Sequence, residues 1–313
     1  MNTFLQICGL ALGFAMLIKG ADVFVNASVN IAKWLKVPSV VIALTIVAFG
    51  TSAPEAMISI VAASGGSTEL AMGNAIGSNI FNLILILGLC AVIKPIAISI
   101  RDFAMDYWVS VGAAVLLLAM TLIFTNVVPR IGALLMLVVF VVYVTLLVTR
   151  ALKNRPQAEQ ETTTPSSLLK SIMLALIGIA LIILGGHFTV VNAEHIALTL
   201  GLTPRVIGLT VVAIGTSLPE LVITLIACKK GENDMAVGLV VGSNIFNILF
   251  VLGISGIIMP LAVDSNLILD LVVLIVGSLV FLIFATTSKR VARWEGAILV
   301  AMYVAYIGFI LVA

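Results

Sequence analysis

Residues 42–63 read IALTIVAFGTSAPEAMISIVAA, and residues 207–228 read IGLTVVAIGTSLPELVITLIAC. The two align without a gap at an offset of 165, and at that same offset residues 71–95 (AMGNAIGSNIFNLILILGLCAVIKP) match 236–260 (AVGLVVGSNIFNILFVLGISGIIMP). Even residues 12–20 can be laid on 177–185. The chain therefore carries one unit twice, and repeats of this kind in membrane carriers mark the substrate site where the copies meet.

The surroundings of the repeat set the solvent. Of 313 residues, 62 % are hydrophobic and 10 % charged, with a mean hydropathy of +1.29. A soluble domain carries about 25 % charged residues, so that class is excluded. Apolar runs of ~20 residues cross a bilayer as helices, and ten are expected, near 3–21, 39–64, 71–94, 104–125, 131–149, 169–188, 205–228, 236–260, 267–286 and 295–312. Residues 22–38 and 189–204 are less apolar and read as amphipathic or interfacial. The ~10-residue alternation of a membrane barrel is absent. The fold class is thus an all-α polytopic membrane protein of ten transmembrane helices.

Sixteen Lys and Arg against 14 Asp and Glu leave no basic stripe for nucleic acid. Cys8, Cys90 and Cys228 are odd in number and widely spaced, which suits neither a disulfide framework nor zinc. The first residues lack a basic region and a cleavage site, and read as a retained helix. Alternating the connections between two sides puts 13 Lys and Arg on one and only Arg130 and Arg205 on the other. Positive charge stays in the cytoplasm, so both termini are expected outside and the polar 150–170 connection inside. Five helices separate each motif from its copy, and an odd number reverses direction. The expected division is a first five-helix repeat, 1–150, with its motif block at 42–95; a cytoplasmic linker, 151–168; and a second, inverted repeat, 169–313, with its block at 207–260.

Each copy buries one carboxylate, Glu55 and Glu220, in an apolar span without a neighbouring Lys or Arg. A charge at the bilayer centre costs at least ~2.5–3.5 kcal/mol, so both call for a proton, a cation or donors from other helices. Before each stands Gly-Thr-Ser-x-Pro: Thr51, Ser52 and Pro54, then Thr216, Ser217 and Pro219. Proline breaks the helix ladder, which should free carbonyls near Ala48–Thr51 and Ala213–Thr216. Carbonyls, hydroxyls and a carboxylate are hard oxygen ligands suited to Ca²⁺ or Na⁺. The following helix adds Ser78 with Asn82 and Ser243 with Asn247, each pair four residues apart on one face. Two carboxylates match one divalent or at least two monovalent ions. A lone kink or Ser/Asn pair is ordinary membrane-helix structure; their joint recurrence at identical spacing points to a cation site. Asp22 with Lys19 reads as a local ion pair or an interface cap, His187 and His195 as structural or incidental, and Asp106 and Asp270 as acids suited to helix starts.

These blocks resemble the paired repeats of the sodium/calcium exchanger family, over essentially the whole chain, and the short 150–170 connection is similar to that of prokaryotic members. The resemblance implies a ten-helix inverted-repeat fold in a bacterial or archaeal cell membrane. It implies that Glu55 and Glu220, helped by Thr51 and Thr216, hold Ca²⁺, while Ser52, Ser78, Ser217 and Ser243 with the Ala48 and Ala213 carbonyls serve Na⁺. Asn82 and Asn247 complete the middle. Some relatives carry Asp where Asn247 stands, and many keep Asn where Leu239 stands opposite Asn74. Na⁺ and Ca²⁺ are then substrates rather than cofactors, no cofactor or obligatory protein partner is expected, and alternating access would come from the first helix of each half sliding over the core. Ca²⁺/H⁺ exchange on the same glutamates stands as the alternative, since buried carboxylates can hold protons. A channel would want a continuous polar pore. An enzyme would want a nucleophile with its base or HExxH, and a pump a phosphate loop; the sequence has neither.

Overall fold

The computed structural model describes residues 3–35, 39–97, 100–153, 167–199, 213–263, 265–288 and 290–312. The first half runs α1 (Thr3–Leu35), a short turn Ser39–Ile42, α2 (Ala43–Thr51), α3 (Ala53–Ser64), α4 (Thr68–Ile93), β1 (Ile96–Ala97), α5 (Ile100–Ile123), β2 (Val127–Val128) and α6 (Arg130–Lys153). The second runs α7 (Leu168–Thr199), α8 (Ala213–Thr216), α9 (Leu218–Lys230), α10 (Asn233–Ile258), β3 (Leu261–Ala262), α11 (Ser265–Ser288), β4 (Arg290–Val291) and α12 (Arg293–Val312). Among the described residues eight helices are long and apolar enough to cross a bilayer, nine when α2 and α3 count as one bent span. The expected helix 205–228 lies partly outside the described residues, as does most of the linker.

Two sequence expectations need correction. The first helix of each half is longer than the expected 3–21 and 169–188: α1 continues without a break to Leu35, and α7 likewise runs on to Thr199. Of the polar residues of the 22–35 stretch Ser28 is buried, whereas Asn26 is exposed. Asp22 makes its direct ion pair across the molecule, taking a 2.6 Å bond from Lys230 Nζ, which also donates to Asn26 Oδ1 at 2.7 Å, while Lys19 acts on it as a nearby positive charge. Both charges are partly exposed, and such pairs contribute about 0–1 kcal/mol. Lys230→Ala should therefore leave the thermal unfolding temperature in detergent nearly unchanged, lowering stability by at most about 1 kcal/mol.

Prolines set the local geometry of the repeat. Between α2 and α3 the chain bends by 55° at Ser52 (φ −84°, ψ 9°), with Pro54 in the first turn of α3. Ser217 (φ −89°, ψ 5°) breaks α8 from α9 in the same way, two residues before Pro219. Proline has no N–H to give to the preceding turn but fits the first turn of a new helix, where that donor is unused. The helix therefore stops and restarts around Ser52 and Ser217. α4 and α10 form the centre of the molecule and each widens into a π-helical stretch, Phe81–Ile86 and Phe246–Val251.

The halves are related by a two-fold exchange that reverses direction. β1 and β2 lie at opposite ends of α5. β2 pairs antiparallel with β3, the counterpart of β1, in register Val128↔Leu261; β1 pairs with β4, the counterpart of β2, in register Ile96↔Val291. Equivalent strands thus sit at opposite ends of the helix bundle, as inversion requires. Side chains repeat the relation: Arg130 donates to the Ile257 and Ile258 carbonyls at the end of α10, and Arg293 to the Ile93 carbonyl at the end of α4. α1 crosses α7 along glycines. A Cβ on Gly178 would stand 3.0 Å from the Gly20 carbonyl oxygen, and one on Gly185 would stand 2.8 Å from that of Gly13. Such small-residue seams let membrane helices approach closely.

Asp106 is also corrected. It sits more than a turn inside α5, buried, and accepts the Tyr143 hydroxyl at 3.1 Å. Asp270 takes the Tyr306 hydroxyl at 2.7 Å. Through these two hydroxyl bonds the acids join α5 to α6 and α11 to α12.

Candidate cation site between the halves

The two breaks face one another across the pseudo-two-fold. Glu55 begins its run on α3 and Glu220 on α9, one turn past each break, and both are buried to 1 % exposure or less. The serine at each break serves the carboxylate of the other half. Ser52 Oγ donates to Glu220 Oε1 at 2.9 Å, and Ser217 Oγ donates to Glu55 Oε1 at 3.1 Å. Thr51 and Thr216 reach the same opposing carboxylates, Glu220 and Glu55 respectively. Ser52 Oγ also stands 2.9 Å from Ser243 Oγ, which is 3.4 Å from Glu220 Oε1.

α4 and α10 close the site from the middle. Asn79 Nδ2 donates to the Asn244 carbonyl at 3.1 Å, and Asn244 Nδ2 returns the bond to the Asn79 carbonyl at 3.3 Å. Asn247 Nδ2 donates to Asn79 Oδ1 at 3.1 Å. The sequence pattern contained Asn79 and Asn244 but assigned them no part; they tie the two central helices to each other just where these widen.

The contacts bring together Ser52, Glu55, Ser217, Glu220 and Ser243, and the other expected side chains, Thr51, Ser78, Asn82, Thr216 and Asn247, are buried as well. Among the described residues, Glu55 Oε2, Glu220 Oε2, Ser78 Oγ, Asn247 Oδ1 and both polar atoms of Asn82 have no hydrogen-bond partner. Unpaired buried polar atoms each cost roughly 1–3 kcal/mol, more when charged, and this many at one place is unusual in a folded protein. Nearly all are oxygens, a set that suits hard cations and gives soft metals nothing to hold.

One expectation fails in detail. The Ala48 carbonyl is not released by Pro54, because it accepts the Ser52 N–H at 3.0 Å and the Thr51 hydroxyl at 3.2 Å. The proline-lacking bond belongs to Gly50, four residues before it. Ala213 opens the four-residue turn of α8. His187 is exposed, and the His195 side chain lies outside the described residues.

Fold and site together define a multi-pass membrane protein built around a buried, oxygen-lined pair of carboxylates. The family model for sodium/calcium exchanger protein matches residues 5–149 and 170–312, and the chain belongs to that family. It is 34 % identical over 337 residues to the sodium/calcium exchanger MaX1 of Methanosarcina acetivorans, covering 95 % of this chain and 96 % of that one. It is 31 % identical over 315 residues to the inner membrane protein YrbG of Escherichia coli, covering 96 % and 95 %. Solved structures of the sodium-calcium exchanger NCX_Mj superimpose closely. The form soaked with zero Na⁺ and Ca²⁺ gives a TM-score of 0.87 at 31 % identity over 99 % of this chain and all of that one. The form soaked with 2.5 mM Na⁺ and 0.1 mM Ca²⁺ gives 0.86 at 32 % over 97 % and 98 %. The family is one of transporters, with Na⁺ and Ca²⁺ as its substrates.

Proposed function

We propose that the chain exchanges Na⁺ for Ca²⁺ across the membrane, with both ions competing for Glu55 and Glu220. The observation that carries this reading is the crossed pairing of Ser52 with Glu220 and Ser217 with Glu55, which leaves one buried oxygen of each carboxylate without a partner among the described residues. Two carboxylates offer the charge of one Ca²⁺. Sodium ions on the same oxygens remove the counter-charge that Ca²⁺ needs, so the two occupancies exclude each other. Glu55, Glu220, Thr51 and Thr216 hold Ca²⁺; Ser52, Ser78, Ser217 and Ser243 extend the shell for Na⁺ with the Ala213 carbonyl, and Asn82 and Asn247 line the middle. Each repeat, 1–150 and 169–313, supplies half of the shell, and 151–168 links them. Both termini lie outside the cell membrane and the linker in the cytoplasm, as the 13-to-2 distribution of Lys and Arg favours. The glycine seam between α1 and α7 suits a pair of helices that slides over the core to open either side.

The test is Ca²⁺ flux in proteoliposomes. Vesicles loaded with Na⁺ and diluted into Na⁺-free medium should take up Ca²⁺, and vesicles with equal Na⁺ on both sides should not. Uptake driven by an imposed pH gradient in the absence of Na⁺ would replace this reading with Ca²⁺/H⁺ exchange. Uptake indifferent to both gradients would end the antiporter reading. In detergent, Ca²⁺ at about a hundredfold over its dissociation constant should stabilise the fold by about 2.7 kcal/mol, read as a rise in the unfolding temperature that added Na⁺ reverses.

A further inference from the structure

The two halves differ at one place beside the glutamates. In the first half Asn74 of α4 reaches across to α3, where its Nδ2 donates to the Glu55 main-chain carbonyl at 3.1 Å and to Ser59 Oγ at 3.0 Å. Ser59 Oγ in turn donates to the Ala71 carbonyl on α4 at 3.4 Å. At the offset of 165 the same positions are Leu239, Glu220, Thr224 and Ala236. Leu239 and Thr224 are both fully buried. A leucine cannot donate, and the Thr224 hydroxyl has no partner among the described residues.

We infer that Asn74 is a positioning residue that clamps the backbone of Glu55 to α4, and that Leu239 leaves the turn bearing Glu220 without this clamp, making Glu55 the fixed ligand and Glu220 the one that re-aims as ions exchange. The clamp joins the first turn of α3 to a helix that cannot shift without breaking the Asn79–Asn244 pair. On the other side the side chain of Glu220 is held by Ser52, Ser243 and Thr51, no side chain among the described residues is bonded to its main-chain carbonyl, and hydroxyl bonds of that kind give way to an entering cation. A polar clamp on one side and an unpaired buried hydroxyl on the other is a costly asymmetry for a duplicated unit. A function in which one carboxylate stays and the other moves accounts for it.

The inference rests on the exchange reading for its ions but not for its geometry, so two measurements separate them. The first is amide hydrogen exchange of the whole protein in detergent. One hydrogen bond is worth about 1 kcal/mol, so peptides covering 53–60 should exchange about fivefold more slowly than peptides covering 218–225. Asn74→Leu should remove the difference, and Leu239→Asn should slow the second segment by pairing with Thr224 and the Glu220 carbonyl. Equal exchange in the two segments of the unaltered protein overturns the inference, whatever the transport result. The second is Ca²⁺ uptake with KM and maximal rate determined apart. Asn74→Leu should raise KM for Ca²⁺ about fivefold with the maximal rate kept within about twofold, and Leu239→Asn should lower the maximal rate about fivefold. A clamp that serves packing alone would lower stability and leave both parameters of the folded variants unchanged, which also overturns it. Failure of Na⁺ to drive uptake, with the exchange asymmetry present, would count against the antiporter reading and leave the clamp in place.

Discussion

Glu55→Gln and Glu220→Gln should each reduce Na⁺-driven Ca²⁺ uptake to the level of empty vesicles while the protein stays folded. Glutamine keeps the shape of the side chain and an oxygen that can accept from Ser217 or Ser52, so the crossed pairing survives. What is lost is half the negative charge in a place where no Lys or Arg is bonded to either carboxylate among the described residues. Removing one member of a buried charge-compensated set costs about 3–5 kcal/mol, or roughly two to three orders of magnitude in affinity at 1.4 kcal/mol per tenfold. The same change should not weaken the fold in the absence of Ca²⁺, because it removes a buried charge lacking a full set of partners. Thermal unfolding in detergent separates the two effects. Each variant should unfold at or above the temperature of the parent without Ca²⁺ and lose most of the Ca²⁺-induced rise. A variant that binds Ca²⁺ with unaltered affinity would show that the carboxylates are not ligands.

The parts of this site legible in the sequence were those carried by composition and spacing. Two acids inside apolar spans stand out in a chain with 14 in total, and the prolines before them announce a break that occurs at Ser52 and Ser217. The 165-residue offset gave the inversion by parity of helices, and the strand pairing has the same sense. What stayed hidden depends on partners distant in the chain. A linear reading places Ser52 beside Glu55, three residues away, whereas Ser52 bonds Glu220 and it is Ser217 that bonds Glu55. Window-averaged hydropathy ended the first helix near residue 21, because it counts Asp22, Asn26 and Ser28 as polar without seeing Lys230 or the neighbouring helices. The widened turns after Ile80 and Ile245 carry no mark that a linear reading separates from ordinary apolar membrane helix. Leu239 was visible as a departure from its counterpart Asn74, but its meaning needed the bond from Asn74 to the Glu55 carbonyl.

Gly242→Val should weaken Ca²⁺ binding at least about tenfold by a steric route that removes none of the ligand side chains. Gly242 precedes Ser243 on α10, and a Cβ there would stand 2.8 Å from Leu44 Cα and 2.9 Å from both the Leu44 carbonyl oxygen and Ala48 Cβ. Non-bonded carbon atoms prefer about 3.5–4.0 Å, and the atoms met are backbone or a methyl without a rotamer to adopt. The turn Ala43–Val47 must therefore move off α10 by roughly 1 Å, and valine demands more than alanine. Ser52, one turn further along the same segment, moves with it, and its 2.9 Å distances to Glu220 Oε1 and Ser243 Oγ open beyond hydrogen-bond range. Overpacking of this kind costs about 1–3 kcal/mol, enough to lower the unfolding temperature without preventing assembly. The functional loss should be larger than the stability loss: at least about tenfold in Ca²⁺ affinity, since a mispositioned shell no longer meets the geometry its cation requires. Gly112→Ala provides the contrast, because a Cβ on Gly112 meets no described atom within 4 Å and should leave stability and Ca²⁺ affinity as they are. If Gly242→Val instead loses stability and Ca²⁺ affinity in the same proportion as an overpacked site remote from the glutamates, the seam between α2 and α10 serves packing alone and does not set the distance between the halves.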